Sequence, residues 1–257
     1  MDEIPTKIVQ TRHGPMRVLT NDFYITRCLE VLGEYSRAEW ELLSQVVKPG
    51  MTVVEAGANI GALSVPLARA CSPGRFIALE PHPVIFALLR ENLDVNGLEA
   101  ALAVQAAAGD HDGASCVPEA DFATTGNFGA FGLSDGGLPV RLLTIDSLKL
   151  ADLGLLKVDV EGSELAVISG ARRTIERCRP VMYLENDRTD AQGALIESAS
   201  NLGYRLYWHT PLLAETGLFN APFRSLNMLC IPSERGTQVR DLEQIDPLNW
   251  RSPIQGR

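Results

Sequence analysis

The chain reads as an α/β protein built on a mainly parallel β-sheet with helices on both faces. Three observations predict it. Short β-rich apolar runs alternate with segments whose apolar residues recur at helical spacing, the pattern of strand–helix–strand units. A glycine-punctuated turn, Gly57 to Gly61, follows directly on the run Val53-Val54-Glu55-Ala56 and leads into Ile60, Leu63 and Leu67, a helical stripe. Finally, polar residues gather where strands should end: Glu55, Glu80, Asp110, Asp159, Glu185 and Asn186. In an open α/β sheet ligands bind beyond the carboxyl ends of the strands, so one site accounts for all six.

The elements follow in order. Residues 7–10 and 16–19 predict a hairpin turning through His13-Gly14-Pro15. A helical pattern from Thr26 to Val47 breaks near Gly33, and its second part sets Trp40, Leu43 and Val47 on one packing face. Lys48-Pro49-Gly50 stops it and feeds the first main strand. A helix to about Cys71 and the turn Ser72-Pro73-Gly74 lead to a second strand, Arg75 to Glu80; Pro83 suits the first turn of the next helix, whose stripe is Ile85, Phe86, Leu89 and Leu93. A third strand runs from Ala101 to Ala107 and ends at Ala108-Gly109-Asp110.

Residues 111–138 are glycine-rich with Phe122, Phe128 and Phe131 interleaved; so long a connection with aromatics in it predicts a lid or binding loop. An edge strand over 140–143 and the main strand Gly154 to Val160 come next. The following helix carries Leu165, Ile168, Ala171 and Ile175, then a fifth strand runs from Val181 to Glu185 and a helix from about Ala191 stops at Gly203. Tyr204 to His209 and Asn227 to Ile231 are the last strands. Three regions result: an N-terminal extension, 1–48, a main domain, 49–232, and a polar tail, 233–257, with little periodicity and expected to be at most partly ordered.

Composition narrows the function. The 257 residues are 46% hydrophobic and 21% charged, ordinary for one globular domain with additions. A formal net charge of −9 argues against a nucleic-acid partner. Five scattered cysteines without a C-x-x-C pair suit reduced thiols better than a disulfide framework or a zinc site. Without a signal-peptide pattern or a bilayer-length apolar run, a cytoplasmic location is expected.

The glycine turn discriminates between ligands. A dinucleotide site wants G-x-G-x-x-G, whose middle glycine lets backbone approach a pyrophosphate. Here Asn59 holds the middle place between Gly57 and Gly61, and Glu55 just before the turn repels phosphate but suits an amine. Glu80 can accept both ribose hydroxyls and Asp110 the adenine amino group. Together they outline an adenosyl ligand with an amino-acid arm and no phosphate, S-adenosylmethionine. An NAD-dependent oxidoreductase is the competing reading, and a non-catalytic adenosyl-binding domain the third.

The motifs Val53–Gly61 (VVEAGANIG), Glu80-Pro81-His82-Pro83 with Asn92 and Asn96, Asp146-Ser147-Leu148, and above all Lys157-Val158-Asp159-Val160-Glu161-Gly162-Ser163-Glu164 resemble the FkbM family of S-adenosylmethionine-dependent methyltransferases. Arg179-Pro180, Glu185-Asn186 and Asn227 also fit, and the similarity spans about Gly33 to Pro232. The resemblance implies a class I, Rossmann-like methyltransferase fold: a seven-stranded sheet whose last strand is antiparallel, helices on both faces. It implies methyl transfer to a hydroxyl of a sugar, glycan or natural product.

Site residues are then expected as follows. Glu55, Gly57, Ala58, Asn59, Gly61, Glu80, Pro81, His82, Gly109, Asp110 and Asp159 surround the cofactor. Transfer from a sulfonium is an in-line displacement, and an alcohol acceptor needs a general base or a metal to lose its proton. Asp159 is the first choice of base; its plain alternative is a structural acid paired with Lys157. His111, at the root of the glycine-rich loop, is the alternative base, while His82 suits a pocket wall and His209 a structural role. Asp159, Glu185 and Asn186 could hold Mg²⁺ with waters completing an octahedron, against the alternative of a hydrogen-bonded sheet end without metal. Tyr35 and Glu39 face the methionine arm or serve the core. Neither the acceptor nor the oligomeric state is encoded in a readable pattern.

Overall fold

The computed structural model describes residues 4–214, 218–219 and 223–253. The chain opens with strands β1 (Thr6–Thr11) and β2 (Gly14–Leu19), an antiparallel hairpin, followed by helices α1 (Ile25–Leu32) and α2 (Arg37–Val46). Then come β3 (Val53–Ala56), α3 (Ser64–Cys71), β4 (Phe76–Leu79), α4 (Pro83–Val95) and β5 (Leu102–Val104). A second group of strands is β6 (Ala107–Ala108), β7 (Gly113–Val117) and β8 (Leu138–Leu143). The chain continues through β9 (Leu155–Val158), α5 (Glu164–Gly170), α6 (Arg172–Cys178), β10 (Val181–Glu185), α7 (Gln192–Asn201) and β11 (Tyr204–His209). It closes with β12 (Leu212–Ala214), β13 (Phe223–Arg224) and β14 (Asn227–Pro232).

The central sheet has seven strands in the order β11-β14-β10-β9-β3-β4-β5. β10, β9, β3, β4 and β5 are mutually parallel, and β14 runs antiparallel to both its neighbours. The sheet is therefore the one expected, last strand in the chain included. Its physical basis is the period of two along each strand. Val54, Ile77, Leu156 and Met182 point to one face, where they pack on Val167, Ile168 and Ile175 of α5 and α6 and Leu195 and Ile196 of α7. Their neighbours Val53, Phe76, Leu155 and Val181 point to the other, onto Leu43 of α2, Val65 and Leu67 of α3 and Leu89 and Leu93 of α4. Both faces are covered, so the strands read as continuous apolar runs. The chain order reverses between β3 and β9, which puts the switch point at the C-terminal ends of those two strands.

Four local expectations change. The helix after the glycine turn starts at Ser64, leaving residues 57–63 as an extended turn. The third strand, expected as one piece over 101–107, is two: β5 pairs with β4 in the central sheet, and β6 leaves it to pair with β8 in a three-stranded sheet β6-β8-β7. Part of the 111–138 segment, 113–117, is accordingly strand, and two of its aromatics are core: Phe122 and Phe128 pack with Met16 and Val18 of β2, Ile25 and Leu29 of α1, and Ile60. The 233–253 stretch lacks periodicity because it is a strap held by backbone. Trp208 N–H donates to Glu243 O at 2.8 Å, Ile245 N–H to Leu206 O at 2.8 Å, and Ile245 is buried.

The N-terminal hairpin is tied to the turn by one side chain. Asn92 of α4, fully buried, accepts from Arg17 N–H at 2.6 Å and donates to Arg17 O at 2.9 Å and to Ile60 O at 2.8 Å. It thus acts as a strand partner for β2 and fixes the turn beneath it.

Candidate active site

A cavity of about 300 Å³ lies at the switch point, beyond the C-terminal ends of β3, β4, β9 and β10. Its floor is the turn after β3. Gly57 and Ala58 N–H both donate to Leu79 O at 3.0 Å, which draws the turn over the end of β4. Gly57 (φ 81°) and Asn59 (φ 49°) adopt the left-handed conformation, and such a conformation favours glycine and tolerates asparagine. Gly57, Ala58 and Asn59 line the cavity, as do Glu55, Glu80 and Pro81.

Glu80 is buried, and each of its carboxylate oxygens accepts one backbone N–H: Asn59 at 3.1 Å and His82 at 2.9 Å. It therefore clamps the turn to the end of β4 while keeping lone pairs on the cavity side. Burial pushes its pKa up to about 7, against the pull of those two N–H groups.

Glu55 sits deeper. It accepts from Ser64 Oγ at 2.6 Å, and Lys157 Nζ lies 3.5 Å from its other oxygen. Lys157, 2% exposed, also donates to Asp159 Oδ2 at 3.0 Å. Burial alone would lower the pKa of that ammonium, but Asp159, Glu55 and Glu39 outweigh it and hold it above its ordinary value. Burial raises Glu55, with Lys157 and Ser64 opposing. Glu39 of α2 completes this layer: it accepts from Asn227 Nδ2 at 3.0 Å, and burial, with Asp159 adding repulsion, brings it to about 7.

Opposite the floor, Asp159, Glu161, Glu185 and Asp187 form an acidic wall. Asp159 is partly exposed to the cavity. Glu161 returns to the same side because the chain reverses there: Glu161 has φ 56° and Gly162 φ 105°. Arg188 donates to Glu161 at 2.6 Å. Burial, then Asp159, raises Glu161 to about 7, and burial, then Asp159 and Glu161, raises Glu185 to about 11. The last side is Asn127 to Leu133, including Phe128 and Phe131, so the glycine-rich segment does supply a wall.

Several expected site residues lie elsewhere. Asp110 and His111 are exposed and pair with each other at 2.7 Å, off the cavity. Gly109 is wedged between β8 and α5: its N–H donates to Leu143 O at 3.0 Å, and a Cβ at Gly170 would come within 1.9 Å of its carbonyl oxygen. The reason is the early end of β5. The chain leaves the central sheet at Val104, so Ala106, Ala107 and Ala108 meet the cavity and Gly109 to His111 have already passed it. His82 is buried as the cap of α4, its Nδ1 accepting from Val84 N–H at 3.3 Å and its ring against Phe122 and Phe131. Gly61 faces Leu89, not the cavity. Asn186 is buried off the cavity, its N–H donating to Leu226 O at 2.8 Å and its carbonyl accepting from Gln192 at 2.9 Å. His209 is hydrogen-bonded to Tyr183 at 2.7 Å, and burial lowers it to about 4.

Glu161 and Asp187 line the cavity without having been singled out for roles. Each lies two residues beyond an expected ligand, Asp159 or Glu185, and that spacing is the signal: just past a strand, i and i+2 can return to one side. Tyr35 and Glu39 both reach the cavity.

Comparison with known proteins agrees with this architecture. No curated protein sequence matches the chain. Among solved structures, an O-methyltransferase from Bacillus cereus in complex with SAH superposes with TM-score 0.51 at 14% identity, over 77% of this chain and 82% of that one. A precorrin-6y C5,15-methyltransferase from Geobacter metallireducens GS-15 superposes with TM-score 0.50 at 16% identity, over 76% and 87%. A methyltransferase FkbM from Methylobacillus flagellatus KT gives TM-score 0.45 at 18% identity, over 75% of this chain and 50% of that one. The first two likenesses establish a class I methyltransferase fold. The family model described as methyltransferase FkbM domain matches residues 55–206, more than half of the chain and all the strand ends that build the cavity, and the chain belongs to the FkbM methyltransferase family.

Proposed function

We propose that the protein transfers the methyl group of S-adenosylmethionine to a hydroxyl of a small molecule, sugar or glycan. One observation carries the reading: the turn Gly57–Asn59 and the carboxyls of Glu55 and Glu80 face Asp159 across a single cavity. The donor set suits the cofactor. Glu80 keeps acceptor capacity for two ribose hydroxyls, Glu55 and Glu39 attract an amine, and the acidic lining disfavours phosphate. A cavity of about 300 Å³ is at the small end of the range for ligand sites. The cofactor supplies an activated methyl group on a sulfonium.

The chain's own residues would do the rest. Glu80 and the 57–59 backbone orient the donor, Phe128 and Phe131 exclude water from one side, and Asp159 receives the proton of the acceptor hydroxyl. Lys157, hydrogen-bonded to Asp159 Oδ2, keeps that carboxylate oriented. Holding donor and acceptor in line supplies much of the rate.

Calorimetry with S-adenosylhomocysteine tests the cofactor; a folded protein that does not bind it overturns the reading. Asp159→Asn tests the chemistry. Turnover should fall by ~100-fold or more, the usual worth of a general base; unchanged turnover and pH profile exclude Asp159 from that role.

A further inference from the structure

We propose that Asp159, Glu161 and Glu185 bind one divalent cation of the hard, oxygen-seeking kind, Mg²⁺ or Mn²⁺, on the acidic wall of the cavity. One carboxylate oxygen from each residue lies within 4.8 Å of the others. Mg²⁺–oxygen bonds of about 2.0–2.1 Å span up to about 4.2 Å between opposed ligands, so a small inward shift of the carboxylates brings all three oxygens onto one ion. The donors are all carboxylate oxygens, which select hard cations over zinc or copper.

A second observation points to a ligand. Glu185, 9% exposed, carries a buried oxygen, Oε2, that has no hydrogen-bond partner, and the residue faces the cavity. Buried acceptors are nearly always partnered, so an unpartnered oxygen on a carboxylate grouped with two others marks a place for a ligand. The neighbouring cations do not supply it. Lys157 is shared between Asp159 at 3.0 Å and Glu55 at 3.5 Å, and Arg188 between Glu161 at 2.6 Å and Asp187 at 3.5 Å. No ion pair to Glu185 occurs among the described residues.

The third ligand is Glu161 in place of the Asn186 expected from the sequence. The left-handed backbone at Glu161 turns the carboxylate back toward Asp159, whereas Asn186 does not line the cavity. Arg188 occupies one oxygen of Glu161 and leaves the other. The binding itself does not rest on the methyl-transfer reading.

The test is titration of the full chain with Mn²⁺ at pH 8, without cofactor, following free Mn²⁺ by electron paramagnetic resonance. One Mn²⁺ per chain should bind and be displaced by Mg²⁺. Glu161→Gln and Glu185→Gln should each weaken binding ~10-fold or more with no loss of thermal stability. If Glu185→Gln does not fold, Glu161→Asp, which keeps the charge and shortens the reach, must still weaken binding. No saturable binding by ~5 mM, or affinity indifferent to Glu161, overturns the proposal. So does a protein that ignores Mn²⁺ but is stabilised by an alkylammonium ion, an outcome that assigns the wall to a cationic acceptor. Calorimetry with S-adenosylhomocysteine on the same sample separates the two readings. Cofactor binding without Mn²⁺ sinks the metal site alone, and Mn²⁺ without cofactor sinks the cofactor reading alone.

Discussion

Gly57 lies directly against the backbone of Asp159: a Cβ placed on the glycine would come within 1.6 Å of the Asp159 carbonyl oxygen. The turn under the cavity and the proposed base are therefore packed directly against each other. Gly57 also has φ 81°, so a substituent meets both strain and clash. Gly57→Ala should lower stability by about 2–4 kcal/mol, the sum of a left-handed penalty and overpacking. Because the clash displaces Asp159, turnover should drop further than S-adenosylhomocysteine affinity. Thermal melts and steady-state kinetics check this, and a variant with parental turnover would separate the two residues.

Asn92 is the second joint. Its three hydrogen bonds hold both Arg17 and Ile60, far apart in the chain. Asn92→Ala orphans buried backbone groups on two elements, each costing about 1–3 kcal/mol. Urea unfolding should show a loss of about 2–4 kcal/mol, and cofactor affinity should fall because the turn is released. Loss of stability with unchanged affinity would confine Asn92 to the hairpin.

Lys157 is the buried counter-charge of the site. Lys157→Met leaves Glu55 without it, and removing one partner of a buried pair costs about 3–5 kcal/mol. The sign with pH follows from Glu55, whose pKa is already raised by burial and would rise further without the ammonium. A raised carboxyl contributes stability that is present below its unfolded value of 4.5 and is lost as pH climbs. The variant's deficit should therefore widen between pH 5 and 8, and Glu55→Gln in the same chain should recover part of it. Unfolding free energies across that interval decide the matter.

Glu80 should give cofactor binding a pH dependence. Its pKa stands at about 7 in the folded protein against 4.5 ordinarily. Stability from this group is full below 4.5 and is lost on the way to 7, about 3 kcal/mol at ~1.4 kcal/mol per unit. Hydroxyl donors prefer the ionised carboxylate, so S-adenosylhomocysteine should bind ~10-fold tighter at pH 8 than at pH 6. Glu39, raised likewise to about 7, adds to the slope. Glu80→Gln should weaken binding and flatten most of the dependence; a flat parental profile would remove Glu80 from the ribose.

How much of this was legible depends on the range of the interactions. Strand and helix periods are local, so Val53/Val54 and Leu155/Leu156 already showed a sheet buried on both faces. Left-handed turns, too, have local signatures, so the floor at Gly57 to Asn59 and the acids Glu55, Glu80 and Asp159 could be identified from their own neighbours. The sequence by itself determined the parallel sheet and the acids at its strand ends. Only the tertiary structure decided which of those acids share the cavity. Where a strand ends depends on pairing with chain far away: β6 pairs with β8, some 35 residues on, and that removes Asp110 and His111 from the site. Glu161 enters it through one backbone reversal, Asn186 lies outside it, and the orphaned oxygen of Glu185 exists only in the packed chain. Periodicity records which way a side chain points along its own strand; which charges it then meets is set by the packing of distant segments.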